Sequence, residues 1–389
     1  MLATPAHLMV AEAPGGHLVL LVLACGAPPE PAAPVEVVTE PVPARDGRRP
    51  GGAEVVKPAE RDPERWGAAR CNDGTPFAYT LRRGADPTWV IHLSGGFFCD
   101  DARAPCSERR PRLTTTVTEA DGANVRARGA GVLSPDPSVN PTFASAHQVD
   151  AHYCSSDLWL GDSVERRPTT GDPQAGWYFS GRENVRVLVD ALARLHGLDD
   201  ADERTRVLVV GSSAGGAGVV GNVETFRAAL PRTAAAGRLK VVLDGSWVPD
   251  LPDDRPLPDA AKWGPVHAAC DRDLRARGID PRRCVVGRIW WPYVAASGIP
   301  VLVQISGLDQ TQAPVFGIDT PEERQTWRAR VHAELSALPW VYSGGSAYHV
   351  VAAHEAFASG IEGGPPFREV LDRFWSGARP EQVLFGYPQ

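Results

Sequence analysis

The apolar positions of this chain fall into two kinds of segment. Four short segments are almost continuously apolar, a pattern typical of strands buried on both faces of a parallel sheet. They are 88–93 ("TWVIHL"), 206–211, 240–245 and 300–307. Three longer segments, 180–197, 320–338 and 367–375, repeat apolar residues at helical spacing. The alternation predicts an α/β fold with a mostly parallel sheet and helices on both faces.

Capping signals support two of these helices. Ser180 and Glu183 have the spacing of a capping box, and Gly197 ends the same segment. Thr320 is followed by a proline and, three residues on, by Glu323, which predicts a second helix start.

The N-terminal residues differ from the rest of the chain. Residues 1–25 contain "HLVLLVLAC", an apolar run too short to cross a bilayer as a helix. With the small residue before Cys25, it resembles a bacterial lipoprotein signal, although no Lys or Arg precedes the run. Residues 26–62 are rich in Pro, Ala and Glu and predict a disordered linker, which leaves 63–389 as the α/β domain. We therefore expect an exported protein, secreted or held at the cell envelope, with Cys25 as a lipidation candidate.

Charge and cysteine usage narrow the function classes. The net charge of −7 is spread without long runs, which argues against a nucleic-acid partner. Apart from Cys25, the cysteines are even in number and lack the C-x-x-C spacing of a metal site. A disulfide framework in an oxidising compartment fits this pattern, and the alternative is a cytosolic protein with free thiols. These cysteines are Cys71, Cys99, Cys106, Cys154, Cys270 and Cys284.

The segment "GSSAGG" follows the predicted strand 206–211 and precedes small residues typical of a helix start. A nucleophile elbow needs small residues two positions before and two after the serine, because backbones cross closely there. Ser213 has Gly211 and Gly215 at those positions, whereas Ser212 lacks this pattern. The segment therefore predicts Ser213 as a nucleophile.

A serine nucleophile needs a base and an acid that orients the base. In this fold class the acid and then the histidine follow the serine along the chain. Asp244 and Asp309 each follow a predicted strand. His349 and His354 lie in one loop-rich segment, whereas His332 falls inside a predicted helix. Position alone leaves two acids and two bases open.

Several longer segments resemble the pectin acetylesterase and Notum family of serine carboxylesterases, in the family's order over roughly residues 70–360. They are "HLSGGFFCDD", "GVLSPDPSVNPTF" with "HYCSSDLWLGD", "GSSAGGAGVVGNVE", "QISGLDQTQ" and "AAHEAF". The resemblance implies an α/β-hydrolase-like fold, with Ser213 as nucleophile, Asp309 as acid and His354 as base. It also implies that Asp244 lies beside the site without joining the triad.

The resemblance assigns an oxyanion hole as well. Its donors would be the backbone N–H groups of Gly96, Phe97 and Ala214. Ser94 stands where the family usually has an acidic residue and Phe97 where tryptophan is common, so substrate choice stays open. Cys99 with Cys106 resembles a family disulfide, Cys270 with Cys284 is a plausible local pair, and Cys71 with Cys154 remains.

These expectations combine into an exported serine carboxylesterase that hydrolyses O-acyl esters through an acyl-enzyme on Ser213. The bulk of Phe97 and Phe98 favours a small acyl group, so O-acetyl groups on a polysaccharide are the first candidate. The alternatives are a deacylase of longer acyl chains on a lipid or lipidated substrate, and a catalytically silent carbohydrate- or lipid-binding relative. No metal or cofactor is implied. We expect a monomer, with membrane attachment through an N-terminal lipid if Cys25 is modified.

Overall fold

The computed structural model of the protein describes most of the chain from residue 52 onward. The described residues are 52–100, 106, 113–115, 129–163, 165–169, 172–252, 255, 257–258, 263–345, 347–361 and 363–387. The predicted signal segment 1–25, with Cys25, and most of the predicted linker lie outside these residues.

Within the described residues, nine strands form one sheet. The strands of this sheet are β1 (Glu54–Val56), β2 (Tyr79–Arg82), β3 (Thr88–Leu93), β4 (His147–Ala151), β7 (Arg206–Ser212), β8 (Leu239–Asp244), β9 (Val301–Gln304), β10 (Val341–Gly344) and β11 (Gln382–Phe385). Their order is β1-β2-β4-β3-β7-β8-β9-β10-β11. The first two pairs are antiparallel and the remaining pairs are parallel, so the predicted mostly parallel sheet is confirmed. A separate antiparallel pair consists of β5 (Arg167–Thr169) and β6 (Asp172–Trp177).

Helices connect the parallel strands. The described α-helices are α1 (Pro58–Arg61), α2 (Pro63–Trp66), α3 (Gly181–His196), α4 (Ala214–Ala229), α5 (Pro231–Ala235), α6 (Ala268–Ala276), α7 (Gly287–Ala295), α8 (Gln312–Val315), α9 (Pro321–Leu335), α10 (Ala356–Ser359) and α11 (Phe367–Ser376). The capping box of Thr320 and Glu323 at the start of α9 is confirmed. The box predicted at Ser180 is wrong, because the Ser180 hydroxyl donates to the Ser163 carbonyl and does not cap α3.

The sheet is buried on both faces, which explains its continuously apolar strands. Alternate residues of β7 point to opposite sides, as the pleat requires. Val207 and Val209 belong to a core that includes α3 and α4 residues, whereas Leu208 and Val210 belong to a second core with α11 residues. Helices therefore cover both faces, and the carboxyl ends of the parallel strands meet at one edge.

Regular secondary structure is present before the predicted boundary at residue 63. β1 lies inside the predicted linker and pairs with β2, with Val55 opposite Thr80. The helix α1 then starts at Pro58, directly before the predicted boundary. A three-residue edge strand carries little hydrophobic pattern, so composition alone could not separate it from the linker.

Three disulfides link the described residues in the predicted pairs. They are Cys71–Cys154, Cys99–Cys106 and Cys270–Cys284. The first closes the longest loop, because its two cysteines are 83 residues apart.

Candidate active site

Ser213 occupies a sharp turn between β7 and α4. Its φ of 55° and ψ of −120° are strained for a residue with a side chain. Glycine is required on both sides of this turn. A Cβ at Gly211 would lie 2.3 Å from the Gly215 carbonyl oxygen, and one at Gly215 would lie 1.9 Å from the Leu93 carbonyl oxygen. The turn therefore has the geometry of a nucleophile elbow, which exposes the serine side chain at the edge of the sheet.

A histidine and an aspartate complete a hydrogen-bonded row with this serine. His349 Nε2 lies 2.7 Å from Ser213 Oγ, and His349 Nδ1 lies 2.6 Å from Asp309 Oδ2. Asp309 is fully buried, whereas the His349 side chain keeps 19% of its surface exposed. Because Nδ1 faces the carboxylate, it carries the ring hydrogen, and Nε2 is left to accept the serine proton.

Asp309 is held in place by the backbone of its own loop, which follows β9. Its Oδ1 accepts hydrogen bonds from the N–H groups of Thr311 and Gln312, both at 2.9 Å. This leaves Oδ2 directed at His349. The carboxylate therefore has a fixed orientation before any substrate binds.

The structure does not bring His354 to Ser213, so the predicted position of His354 is wrong. His354 Nδ1 accepts a hydrogen bond from the N–H of Ala356 at the start of α10, at 3.2 Å. Its ring packs edge-on against Tyr348, with centroids 6.1 Å apart. His349, five residues earlier in the same loop, occupies the position that the sequence assigned to His354.

Asp244 explains why the loop turns this way. Its two carboxylate oxygens accept hydrogen bonds from the N–H groups of Val351 (2.9 Å) and Ala352 (3.1 Å). These contacts fix the backbone directly after His349. Full burial raises the pKa of Asp244 above its usual range. Asp244 thus supports the loop and does not contact the His349 ring nitrogen that Asp309 binds.

Two of the three predicted oxyanion donors lie at the same serine. Phe97 and Ala214 line one cavity with Ser213 and His349. Ala214 is the first residue of α4, and the first N–H groups of a helix have no partner within the helix. Gly96 and Phe97 both have positive φ, 157° and 64°, so the loop after β3 turns sharply next to the serine. This geometry is compatible with an oxyanion hole, and the assignment stays a prediction.

An apolar cavity opens at Ser213. Its empty volume is about 670 Å³, a figure that includes the open mouth. Phe97 and Phe98 stack on each other, with centroids 5.0 Å apart, and form part of the wall without filling the space. Other apolar walls come from several elements far apart in the sequence, namely Leu158, Ala217, Val220, Trp290, Val315 and Phe316.

Two parts of the site were not found from the sequence. Position left His349 and His354 open and the family resemblance favoured His354, whereas the contacts that identify His349 join it to Ser213 and Asp309. The apolar wall gave no signal, since Val220 and Phe316 have the same character as core residues.

Among the residues that the structure describes, no group of three or more His, Cys, Asp or Glu side chains suits a metal ion. In that same part of the chain, no helix is long and apolar enough to span a membrane.

Comparison with known proteins gives one family and a consistent set of relatives. Residues 61–254 match the family model described as Pectinacetylesterase, a range that includes Ser213 and ends before Asp309 and His349. Palmitoleoyl-protein carboxylesterase NOTUM of Drosophila melanogaster is 30% identical over 269 residues, covering 66% of this chain and 38% of the relative. The Homo sapiens protein of the same name is 31% identical over 219 residues, covering 55% and 42% respectively.

A solved structure is also similar. The Wnt deacylase Notum from Drosophila aligns with a TM-score of 0.65 and 26% identity, covering 82% of this chain and 95% of that chain. The matches to the two curated relatives span only about two fifths of those relatives' own lengths.

Proposed function

Because this chain belongs to the pectinacetylesterase family, we propose that it is a carboxylesterase that hydrolyses O-acyl esters through an acyl-enzyme on Ser213. The observation that supports this most directly is the hydrogen-bonded row of Ser213, His349 and Asp309 at the opening of an apolar cavity. In this proposal His349 is the base, in place of the His354 expected from the sequence.

The reaction follows from the geometry. Ser213 Oγ attacks the ester carbonyl while His349 Nε2 takes its proton, over a contact that is already 2.7 Å long. The imidazolium formed is stabilised by Asp309, whose oxygen lies 2.6 Å from Nδ1. The N–H groups of Gly96, Phe97 and Ala214 stabilise the tetrahedral oxyanion. His349 then protonates the leaving alcohol, and water releases the acid by the same sequence of steps.

The space in the cavity bears on which length of acyl chain the enzyme prefers. The sequence favoured acetyl because Phe97 and Phe98 are bulky, but both side chains form a wall of the cavity and leave it open. An acetyl group has a single methyl to bury, whereas each further buried methylene contributes about 0.8 kcal/mol. We therefore infer that the preferred acyl chain is longer than acetyl.

An O-acetyl ester on a polysaccharide remains the second candidate, and the family description Pectinacetylesterase favours it. A silent binding protein is the least supported reading, because the serine, histidine and aspartate are already hydrogen-bonded to one another.

The disulfides support export. Three disulfides in the described residues are typical of proteins that fold in an oxidising compartment. We therefore propose that the protein is exported. Lipid attachment at Cys25 lies outside the described residues and stays a prediction.

A panel of nitrophenyl esters from acetate to octanoate tests the proposal, with Ser213→Ala as the inactive control. We expect kcat/KM to rise from acetate to butyrate and to stay high at octanoate, and Ser213→Ala to abolish turnover. A steady fall from acetate, with acetate released from an acetylated polysaccharide, would favour the second candidate. Turnover of no ester by the wild-type protein would contradict the esterase proposal itself.

A further inference from the structure

A row of buried polar side chains crosses the sheet next to Ser213, and the proposed reaction does not use it. Asp150, His92, Ser212 and Asp244 come from β4, β3, β7 and β8, which are neighbours in that order. Each of the four is at most 5% exposed. The distances are 2.8 Å from Asp150 Oδ1 to His92 Nδ1, 3.0 Å from His92 Nε2 to Ser212 Oγ, and 2.8 Å from Ser212 Oγ to Asp244 Oδ2.

The row needs a proton that its ordinary ionisation state does not provide. Each of the three contacts requires one hydrogen between its two heavy atoms. A neutral imidazole supplies one and the Ser212 hydroxyl supplies one. With both carboxylates ionised, two acceptor atoms would face each other at one of the contacts with no hydrogen between them, which is strongly unfavourable in a buried site. The third hydrogen must therefore sit on the imidazole, as an imidazolium, or on a carboxyl group.

The surroundings disfavour Asp150 as the site of this proton, which leaves His92 or Asp244. Burial acts to raise the pKa of Asp150. Its hydrogen bonds with His92 and Ser94 and its electrostatic interactions with His92 and His152 outweigh burial, so this pKa lies below its usual range. The pKa of Asp244 lies above its usual range, because burial outweighs its hydrogen bonds. Other titratable groups that act on the row are His152, beside Asp150, and His349, beside Asp244.

The end of the row supports the loop of the base. Asp244 accepts hydrogen bonds from the N–H groups of Val351 and Ala352. The residue after it, Gly245, packs against the backbone of the same loop, since a Cβ added there would lie 2.3 Å from the His349 carbonyl oxygen. We propose that Asp150, His92, Ser212 and Asp244 share one buried proton, and that this row positions His349 for catalysis. The positioning role rests on the proposed function, whereas the buried proton does not. Ser212 and His92 are positioning residues in this account, since neither contacts the reacting atoms.

The buried proton is tested by proton-linked stability. At pH 7–8 an unfolded chain has both carboxylates ionised and the histidine mostly neutral, so the folded protein binds up to one proton more. A native state that binds more protons loses stability as pH rises, by up to about tenfold in the unfolding constant per pH unit. Ser212→Ala removes two of the three contacts, and a neutral His92 then satisfies the contact that remains. We expect the pH slope of urea unfolding to be smaller than in the wild type in Ser212→Ala if the proton sits on His92, or in Asp244→Asn if it sits on that carboxyl. An unchanged slope in both variants would overturn the proposal.

The matched control is Ser180→Ala, because Ser180 is also fully buried and its hydroxyl donates one hydrogen bond, to the Ser163 carbonyl. This variant should keep the wild-type pH slope.

A measurement on the wild-type protein covers the case in which Ser212→Ala fails to fold. Nitrogen-15 NMR of labelled histidine, with His92 assigned by His92→Gln, shows at pH 7 whether the third hydrogen is on the imidazole. If His92 is neutral, infrared spectroscopy should show a buried protonated carboxyl that Asp244→Asn removes. A neutral His92 with no protonated carboxyl would overturn the proposal.

The positioning role is tested by kinetics on the best nitrophenyl ester. Ser212→Ala should lower kcat at least tenfold with little change in KM, because the acyl cavity stays intact while His349 loses its support. Ser180→Ala should keep the wild-type kcat. Wild-type kcat in folded Ser212→Ala would contradict the positioning role. Failure of the wild type to hydrolyse any ester would contradict the proposed function and would leave the stability and NMR results to decide the buried proton.

Discussion

Filling the apolar cavity should change the acyl-chain preference without harming the chemistry. Ala217 lies on the first turn of α4, four residues after Ser213, and lines the cavity. Ala217→Phe places a ring in the space that a long acyl chain would use. An acetyl group needs only the space next to the serine, so its hydrolysis should not change.

The magnitude follows from the area that the chain can no longer bury. Burial of one methylene contributes about 0.8 kcal/mol, so excluding about four methylenes of an octanoyl chain costs about 3 kcal/mol. This corresponds to a loss of roughly two orders of magnitude in kcat/KM. The assay compares nitrophenyl acetate and octanoate for the wild type, Ala217→Phe and the control Ala193→Phe, which changes an exposed residue of α3. Equal losses on acetate and octanoate, or no loss on octanoate, would refute the assignment of this cavity to the acyl chain.

Three further predictions concern the fold. Replacing both Cys71 and Cys154 with Ser should lower the free energy of unfolding by about 4 kcal/mol, because that disulfide closes a long loop; chemical denaturation measures the loss, and a change below about 1 kcal/mol would contradict it. Burial lowers the pKa of His196 to about 4, so its stabilising contribution is complete above pH 6.5 and is lost as pH falls towards 4. The melting temperature should therefore fall more steeply over that range in the wild type than in His196→Gln, and parallel curves would be the contrary result. Gly215→Ala should prevent formation of the active elbow, because the new Cβ would lie 1.9 Å from the Leu93 carbonyl oxygen; a folded, fully active variant would disprove this contact.

The sequence was sufficient for those features that depend on local pattern. Buried strands such as β7 appear as continuous apolar runs because both faces of the sheet are covered. The elbow at Ser213 could be predicted because backbone crowding at Gly211 and Gly215 permits only glycine. The cap at Thr320 depends on three residues of one turn. Each of these signals is contained within a few positions of the chain.

The features that the sequence missed depend on contacts between distant residues. His349 and His354 share one loop, and the backbone of this loop is hydrogen-bonded to Asp244, more than 100 residues earlier. Ser180 has the right spacing for a cap, but its hydroxyl donates to the Ser163 carbonyl and accepts no hydrogen bond from the first turn of α3. The apolar cavity at Ser213 is likewise built from elements that meet only in the folded protein, so its walls could not be assembled from the sequence.

The central claim is that Ser213, His349 and Asp309 act as one catalytic unit, and covalent labelling with a fluorophosphonate tests it most directly. Mass spectrometry should find the label on Ser213, and His349→Ala should slow labelling by about a thousandfold, the scale of losing a general base. His354→Ala should label at the wild-type rate, since its ring contacts Tyr348 and the Ala356 N–H and not the serine. Labelling that stays fast in His349→Ala and becomes slow in His354→Ala, or a label found on another residue, would contradict the account.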